Sequence, residues 1–255
     1  MITDPIFYLA ATPAVFLLGL SKGGFSGVGI LSMPLIALVI PPVQAAAIML
    51  PVLMAQDVVT VWSYRKTWDK ASLTHLVPGA LLGIAAGYVF ATVVPESVVR
   101  VLIGLIAIGF CLDHWVRPSA AGLAARPHDW RSGTILGAAS GYTSFVIHVG
   151  GPPFNMYTIP RGLDRDTFVG TAAVFFAFVN LVKLPAFLAL GQMSIPNLAT
   201  AAALLPLAIV SNLFGIWLVR RVPAELFYRM IYALTFIVGV ALSISGLRSM
   251  LIASA

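Results

Sequence analysis

Charge is what this 255-residue chain has least of: only 9% of its residues are Asp, Glu, Lys or Arg, against about 25% in a soluble domain. So few charges cannot cover the surface of a water-soluble globule of this size. A soluble enzyme, a nucleic-acid-binding domain and a disordered chain are thereby excluded. There is one cysteine, Cys111, so no internal disulfide forms and no thiolate metal cage can be built. H-E-x-x-H, G-x-S-x-G and Walker A motifs are missing, and the four histidines are scattered. No catalytic constellation is legible, so the chain is read as a non-enzyme with no cofactor and no metal. Long polar stretches are scarce too. The longest, about 116–131, carries Arg117, Arg126, His128, Asp129 and Arg131.

What is there is apolar. Hydrophobic residues make up 60% of the chain, and the mean hydropathy is +0.98. The basic excess, 15 Lys and Arg against 9 Asp and Glu, fits loops facing a membrane surface rather than nucleic acid. A membrane-spanning helix needs about 20 apolar residues. Charge-free windows place helical segments at about 5–20, 26–40, 43–63, 73–94, 98–115, 132–142, 145–158, 167–190, 196–219 and 226–248. The stretch 5–40 is too long for one helix and is broken at Ser21-Lys22-Gly23-Gly24-Phe25-Ser26-Gly27. A second break is expected around Ser140-Gly141-Tyr142-Thr143-Ser144. Both read as discontinuous hairpins. The first segment lacks a basic n-region, so it reads as a hairpin arm rather than a secretory signal.

The two breaks match at an offset of 118: Gly19 with Gly137, Gly23 with Gly141, Ser26 with Ser144, Pro34 with Pro152. Further on, Pro78 matches Pro206, Gly87 matches Gly215 and Pro95 matches Pro223, at an offset of 128. Equivalent loops differ in charge. Loop 64–72 carries Arg65, Lys66 and Lys70, while its counterpart near 190–197 carries none. Loop 94–98 has Glu96 where its counterpart has Arg220 and Arg221; the neutral turn at 41–43 answers to one with Arg161 and Arg165. Under the positive-inside rule such loops lie on opposite sides. The expected fold is an all-α integral membrane protein of two inverted repeats, 1–118 and 119–255, each a broken-helix hairpin plus three transmembrane helices. All Lys and Arg except Arg100, Arg248, Lys22 and Lys183 then fall on the cytoplasmic side, and both termini lie outside. A parallel repeat and eight simple spans are the competing readings.

Non-helical backbone at membrane depth must be buried in protein or line a wet cavity. Ser26 and Ser144 sit where each hairpin's second arm would begin, and a helix N-terminus attracts anions. The competing reading is that the glycines only let helices pack closely. A cation at membrane depth costs about 2.5–3.5 kcal/mol, which makes Lys22 either functional, paired or snorkelling. Asp57, in an apolar run, is a candidate partner for Lys22 or Lys183 and a candidate proton carrier. His148 is the one histidine deep in an apolar window, a candidate relay or a packing residue. Asn155, Tyr157, Asn180, Gln192 and Asn212 are expected to make inter-helix hydrogen bonds.

At these breaks the sequence resembles the sulfite exporter TauE/SafE family, also known as the TSUP transporters. Gly19-Leu20-Ser21-Lys22-Gly23-Gly24-Phe25 with Met33-Pro34-Leu35 is similar to the family's first signature. Ser140-Gly141-Tyr142-Thr143-Ser144-Phe145 with His148-Val149-Gly150-Gly151-Pro152-Pro153 resembles the second. Phe168-Val169-Gly170-Thr171, Phe175-Phe176 and Asn180-Leu181-Val182-Lys183-Leu184-Pro185 resemble it further. The similarity runs over about 10–250. The chain departs from the commoner pattern of three glycines before the Pro, having Gly29-Ile30-Leu31-Ser32 in the first half and the His148 segment in the second. The resemblance implies a secondary transporter of a small sulfur-containing anion: sulfite, a sulfonate such as sulfoacetate, or thiosulfate.

The expected substrate site comprises Ser21, Lys22, Gly23, Gly24, Ser26, Gly27, Tyr142, Thr143, Ser144, His148, Asn180 and Lys183, with Asp57 and His148 as proton-coupling groups. Expected partners are the anion and the lipid bilayer, with no nucleic acid; a homodimer is an admissible assembly. The expected location is the plasma (inner) membrane of a bacterial cell. A membrane-embedded sulfur-relay protein or enzyme, with Cys111 as its only thiol, and a passive anion channel are the alternatives.

Overall fold

The computed structural model describes residues 1–25, 28–90, 95–116, 127–189, 191 and 193–254, so Ser26, Gly27, Gln192 and residues 117–126 of the polar linker lie outside the described residues. The described residues form helices and no strand: α1 (Pro5–Gly23), a 3-10 turn (Val28–Leu31), α2 (Ser32–Ala37), α3 (Pro42–Ser63), α4 (Lys70–Phe90), α5 (Glu96–Val116), α6 (Trp130–Ile147), α7 (Gly151–Thr158), a 3-10 turn (Ile159–Arg161), α8 (Arg165–Ala189), α9 (Ile195–Arg221) and α10 (Ala224–Ser254). Six helices among them are long and apolar enough to cross a membrane: α1, most of α3, α4, α8, α9 and most of α10. Their ends follow ordinary capping chemistry. The Asp4 carboxylate accepts from the Ile6 N–H at 2.9 Å, and Pro5 fills the first helical position, where a missing N–H costs nothing. Asp129 and Ser194 cap α6 and α9 in the same way.

The second break is not where the glycine spacing put it. Helix α6 runs unbroken through Ser140–Ser144 to Ile147, and the interruption falls at His148–Gly150. A single Gly at 141 costs a helix about 1 kcal/mol, too little to stop it. Pro152 and Pro153 do stop it, because neither has an N–H to continue the ladder. Ser144 therefore lies in the last turn of α6 and caps no helix. Lys22 likewise lies in the last turn of α1, one residue before that helix ends.

The chain forms two compact units. The first contains Met1–Trp68 and Val169–Pro223, the second Asp69–Phe168 and Ala224–Ala255. In the first unit α1 and α9 run parallel: the Ile2 N–H donates to Thr200 Oγ1 at 2.9 Å and, farther along, Ser211 Oγ donates to the Val15 carbonyl at 3.4 Å. At the lower end of this seam a Cβ on Gly23 would come within 2.6 Å of the Gly215 backbone, so only glycine fits. Helix α2 returns along α1, pinned by Ser32 Oγ donating to the Ala14 carbonyl at 2.8 Å. Helix α3 then runs parallel to α9, with Gln44 on Asn197 (3.3 Å) at one end and Arg220 on the Ser63 carbonyl (3.2 Å) at the other. The ends bearing Arg65 and Arg220 thus share one side of the unit. Phe7, Ala11, Ile36, Ile48 and Met49 make the core.

In the second unit α4 and α6 run parallel, from Ser72 beside His128 (3.4 Å) to Gly141 against Ala80. Helices α5 and α10 run antiparallel, with Ser97 against Gly246 at one end and Cys111 donating to the Tyr232 carbonyl (3.5 Å) at the other. Asn155 of α7 donates to Thr235 Oγ1 of α10 at 3.0 Å.

Candidate functional site

The charges left at membrane depth in the first unit gather in one place. Lys22 Nζ lies 2.5 Å from Asp57 Oδ1, and Asn180 Nδ2 donates to Asp57 Oδ2 at 2.6 Å, so both carboxylate oxygens are engaged. The Asp57 side chain is 4% exposed and that of Lys22 14%. Helix α1 brings Lys22 at its C-terminus, where the free carbonyls favour a cation; α3 brings Asp57 and α8 brings Asn180. The Phe176 ring lies 5.5 Å from Lys22 Nζ. One turn beyond Asn180, Lys183 is fully buried and interacts electrostatically with both Lys22 and Asp57. Two lysines therefore share one carboxylate, and in their charged forms the set carries a net +1.

A polar ladder continues from this cluster. Asn212 Nδ2 donates to Thr60 Oγ1 at 2.9 Å and to the Gln56 carbonyl at 3.2 Å. Gln56 Nε2 donates to the Ala208 carbonyl at 3.3 Å, while its Oε1 is buried with no hydrogen-bond partner among the described residues. Leaving such an acceptor unpaired costs about 1–3 kcal/mol. Gln56 is the sequence neighbour of Asp57; the signal for Thr60 is its spacing on the same helix, i, i+3 to Asp57 and i, i+4 to Gln56.

Of the other expected site residues, Ser21, Gly23 and Gly24 belong to the same unit. Gly23 is sealed into the α1–α9 seam, Gly24 ends α1 at φ 137°, and the Ser21 side chain faces Gly29. The structure thus puts Gly23 to the packing use that was the competing reading. Tyr142, Thr143, Ser144 and His148 belong to the second unit. Thr143 Oγ1 bonds back to the Ala139 carbonyl at 2.7 Å. His148 ends α6 in the left-handed region at φ 55°, the one such non-glycine among the described residues, and its N–H and that of Val149 both reach the Thr143 carbonyl. Ser140 Oγ donates to the Gly150 carbonyl at 2.7 Å, fastening the break to α6. Of the two serines expected at half-helix N-termini, Ser144 lies instead in the last turn of α6, and Ser26 lies outside the described residues.

A second polar group surrounds the start of α4 and α6. His75 Nδ1 and Tyr157 Oη are 3.0 Å apart, and Arg161, buried, stacks over the Tyr157 ring at 3.4 Å and donates to the Tyr157 carbonyl. The sequence placed Arg161 in an open loop; its i, i+4 spacing from Tyr157 was the signal missed. His128 Nε2 lies 2.8 Å from Asp69 Oδ2. Burial pushes the Asp69 carboxyl up, but hydrogen bonds from Ser72 and the His128 ring outweigh it and hold the group below the usual carboxylate range.

Helices long enough to span a bilayer, with a charge cluster enclosed among them, define a multi-pass membrane protein. The family model described as Sulfite exporter TauE/SafE matches residues 11–242, and the chain belongs to that family of membrane transporters. No curated protein and no solved structure matches it.

Proposed function

We propose that the protein carries a small sulfur-containing anion (sulfite, a sulfonate such as sulfoacetate, or thiosulfate) across the plasma membrane of a bacterial cell, with proton coupling. The observation that carries this reading is the unequal charge of the first-unit cluster. When both lysines are charged, two against one carboxylate leave one positive charge uncompensated in an apolar setting, where isolated charge is costly. A monoanion would neutralise it. Lys22 and Lys183 bind, Asn180 orients Asp57, and Asp57 sets the charge. When Asp57 takes up a proton, Lys22 is released to a second ligand and the site gains one positive charge. Anion and proton binding then reinforce each other, as linkage demands. His148, beside the break in the second unit, is proposed as a further substrate and proton contact, with Tyr142, Thr143 and Ser144.

We also propose that residues 1–118 and 119–255 are inverted repeats, one rocking against the other. Their support is the repeated element order and the two parallel pairs, α1 with α9 and α6 with α4, which exchange under the sequence offsets.

The test is proteoliposome flux over sulfite, thiosulfate, sulfoacetate, taurine, sulfate and simple carboxylates under an imposed proton gradient. Asp57→Asn is expected to bind the anion yet lose gradient-driven flux; normal pH-dependent flux in that variant removes Asp57 as the coupling group. Transport unaffected by Cys111→Ser excludes the sulfur-relay reading.

A further inference from the structure

A groove of about 770 Å³ runs along the outside of the first unit between α3, α8 and α9. Met54, Val58 and Trp62 of α3 form its floor, Leu181 of α8 and Leu213 of α9 its walls, and Arg65 stands at one end. Val58 and Trp62 are 71% and 68% exposed, which suits a face turned to lipid. Asp57 touches the groove from behind, but both its oxygens are already engaged, so the wall offers no free charge.

The end at Arg65 is different. Its guanidinium lies 4.4 Å over the Trp62 ring and donates to the Trp62 carbonyl at 3.0 Å, which fixes the group in place with N–H bonds to spare. Arg220 joins it at the same end through the Ser63 carbonyl. From Ser63 inward to Met54 the groove follows α3 for about 14 Å at 1.5 Å per residue. That is roughly one leaflet of a hydrocarbon core about 30 Å thick. A cationic mouth with an apolar trough one leaflet deep has the shape and charge of one lipid species.

We propose that this groove is a binding site for an anionic phospholipid, with its phosphate on Arg65 and one acyl chain laid over Trp62 and Val58 between α8 and α9. The Arg65 cation at the mouth favours a headgroup of net negative charge over a zwitterionic one, and indole beside guanidinium suits the headgroup level. The chain thereby shields the outer face of the helix that carries Asp57. The proposal does not depend on which anion is carried.

The test uses the full-length protein in nanodiscs containing phosphatidylglycerol or phosphatidylcholine with brominated acyl chains, which quench nearby tryptophan. The Trp62 signal is obtained by subtracting the Trp62→Phe variant. Half-maximal quenching is expected at about a fivefold lower mole fraction of the glycerol lipid than of the choline lipid, the preference one fixed surface cation provides. Arg65→Gln should bring the two lipids to parity. Equal quenching by both lipids in the wild type overturns the proposal, and that measurement needs no variant. A preference that survives Arg65→Gln also overturns it. So does a cross-link from a cysteine placed at Val58 to a second copy of the chain, which would make the groove a subunit interface.

Discussion

Lys22 and Asp57 are 35 residues apart in sequence and 2.5 Å apart in space, and what each does depends on the other. Removing Lys22 takes a charge-assisted contact from any bound anion, worth about 1.5–3 kcal/mol. Lys22→Ala is therefore expected to weaken anion binding by about tenfold or more in calorimetry, and unchanged affinity would take Lys22 out of the site. Asp69 gives a pH effect at the surface. Its folded-state carboxyl is held below its unfolded value. It therefore adds stability fully present above the unfolded value, about 3.9, and lost as pH falls through the folded one. His128→Ala should raise the midpoint of acid unfolding; an unchanged acid limb would mean the His128 contact contributes nothing. The sequence exposed Lys22, Asp57, Asn180 and Lys183 because charge and amide groups are rare in apolar windows. It left Asp57's partner open between Lys22 and Lys183, since that choice depends on the relative depth of α1, α3 and α8. Buried Arg161 was hidden because a loop position says nothing about enclosure.

At the scale of elements, long helices were legible and breaks were not. Spans such as α3, α4, α8 and α9 are continuous apolar windows, so hydropathy finds them within a few residues. Gly141 looked like a break because Gly23 is next to one. In the structure both glycines bring backbones together, and helix α6 ends only where Pro152 and Pro153 forbid continuation. Two substitutions separate these roles. Gly23→Ala forces a methyl group into the Gly215 backbone and should destabilise by about 1–3 kcal/mol, as overpacking does, seen as a lower Tm in detergent. His148→Gly relieves a left-handed residue whose conformation costs about 1–2 kcal/mol, so Tm should hold or rise. A marked fall in Tm would show that the His148 ring contributes more packing than its backbone costs.

For the whole molecule, family membership and helix content follow from sequence, while the membership of each compact unit does not. Nothing in a hydropathy profile says that α1 will pair with α9 or α6 with α4. Those pairings come from small-residue seams whose partners lie far apart in the chain. Accessibility of the N-terminus from outside the cell checks the topology that the loop charges imply; an interior N-terminus would reverse it.

The unit boundaries bear on how such a chain can arise and be taken apart. Each compact unit takes helices from both sides of residue 118, so the stretch before it and the stretch after it are interlaced like the arms of a domain-swapped pair. A half-length ancestor would have needed a second copy to complete either unit, and fusion would have fixed that partnership within one chain. Cutting the gene at 118 should then give two fragments that are degraded when made singly and recover each other when made together. Independent accumulation of either fragment would show that the exchange of helices is not what holds the units together.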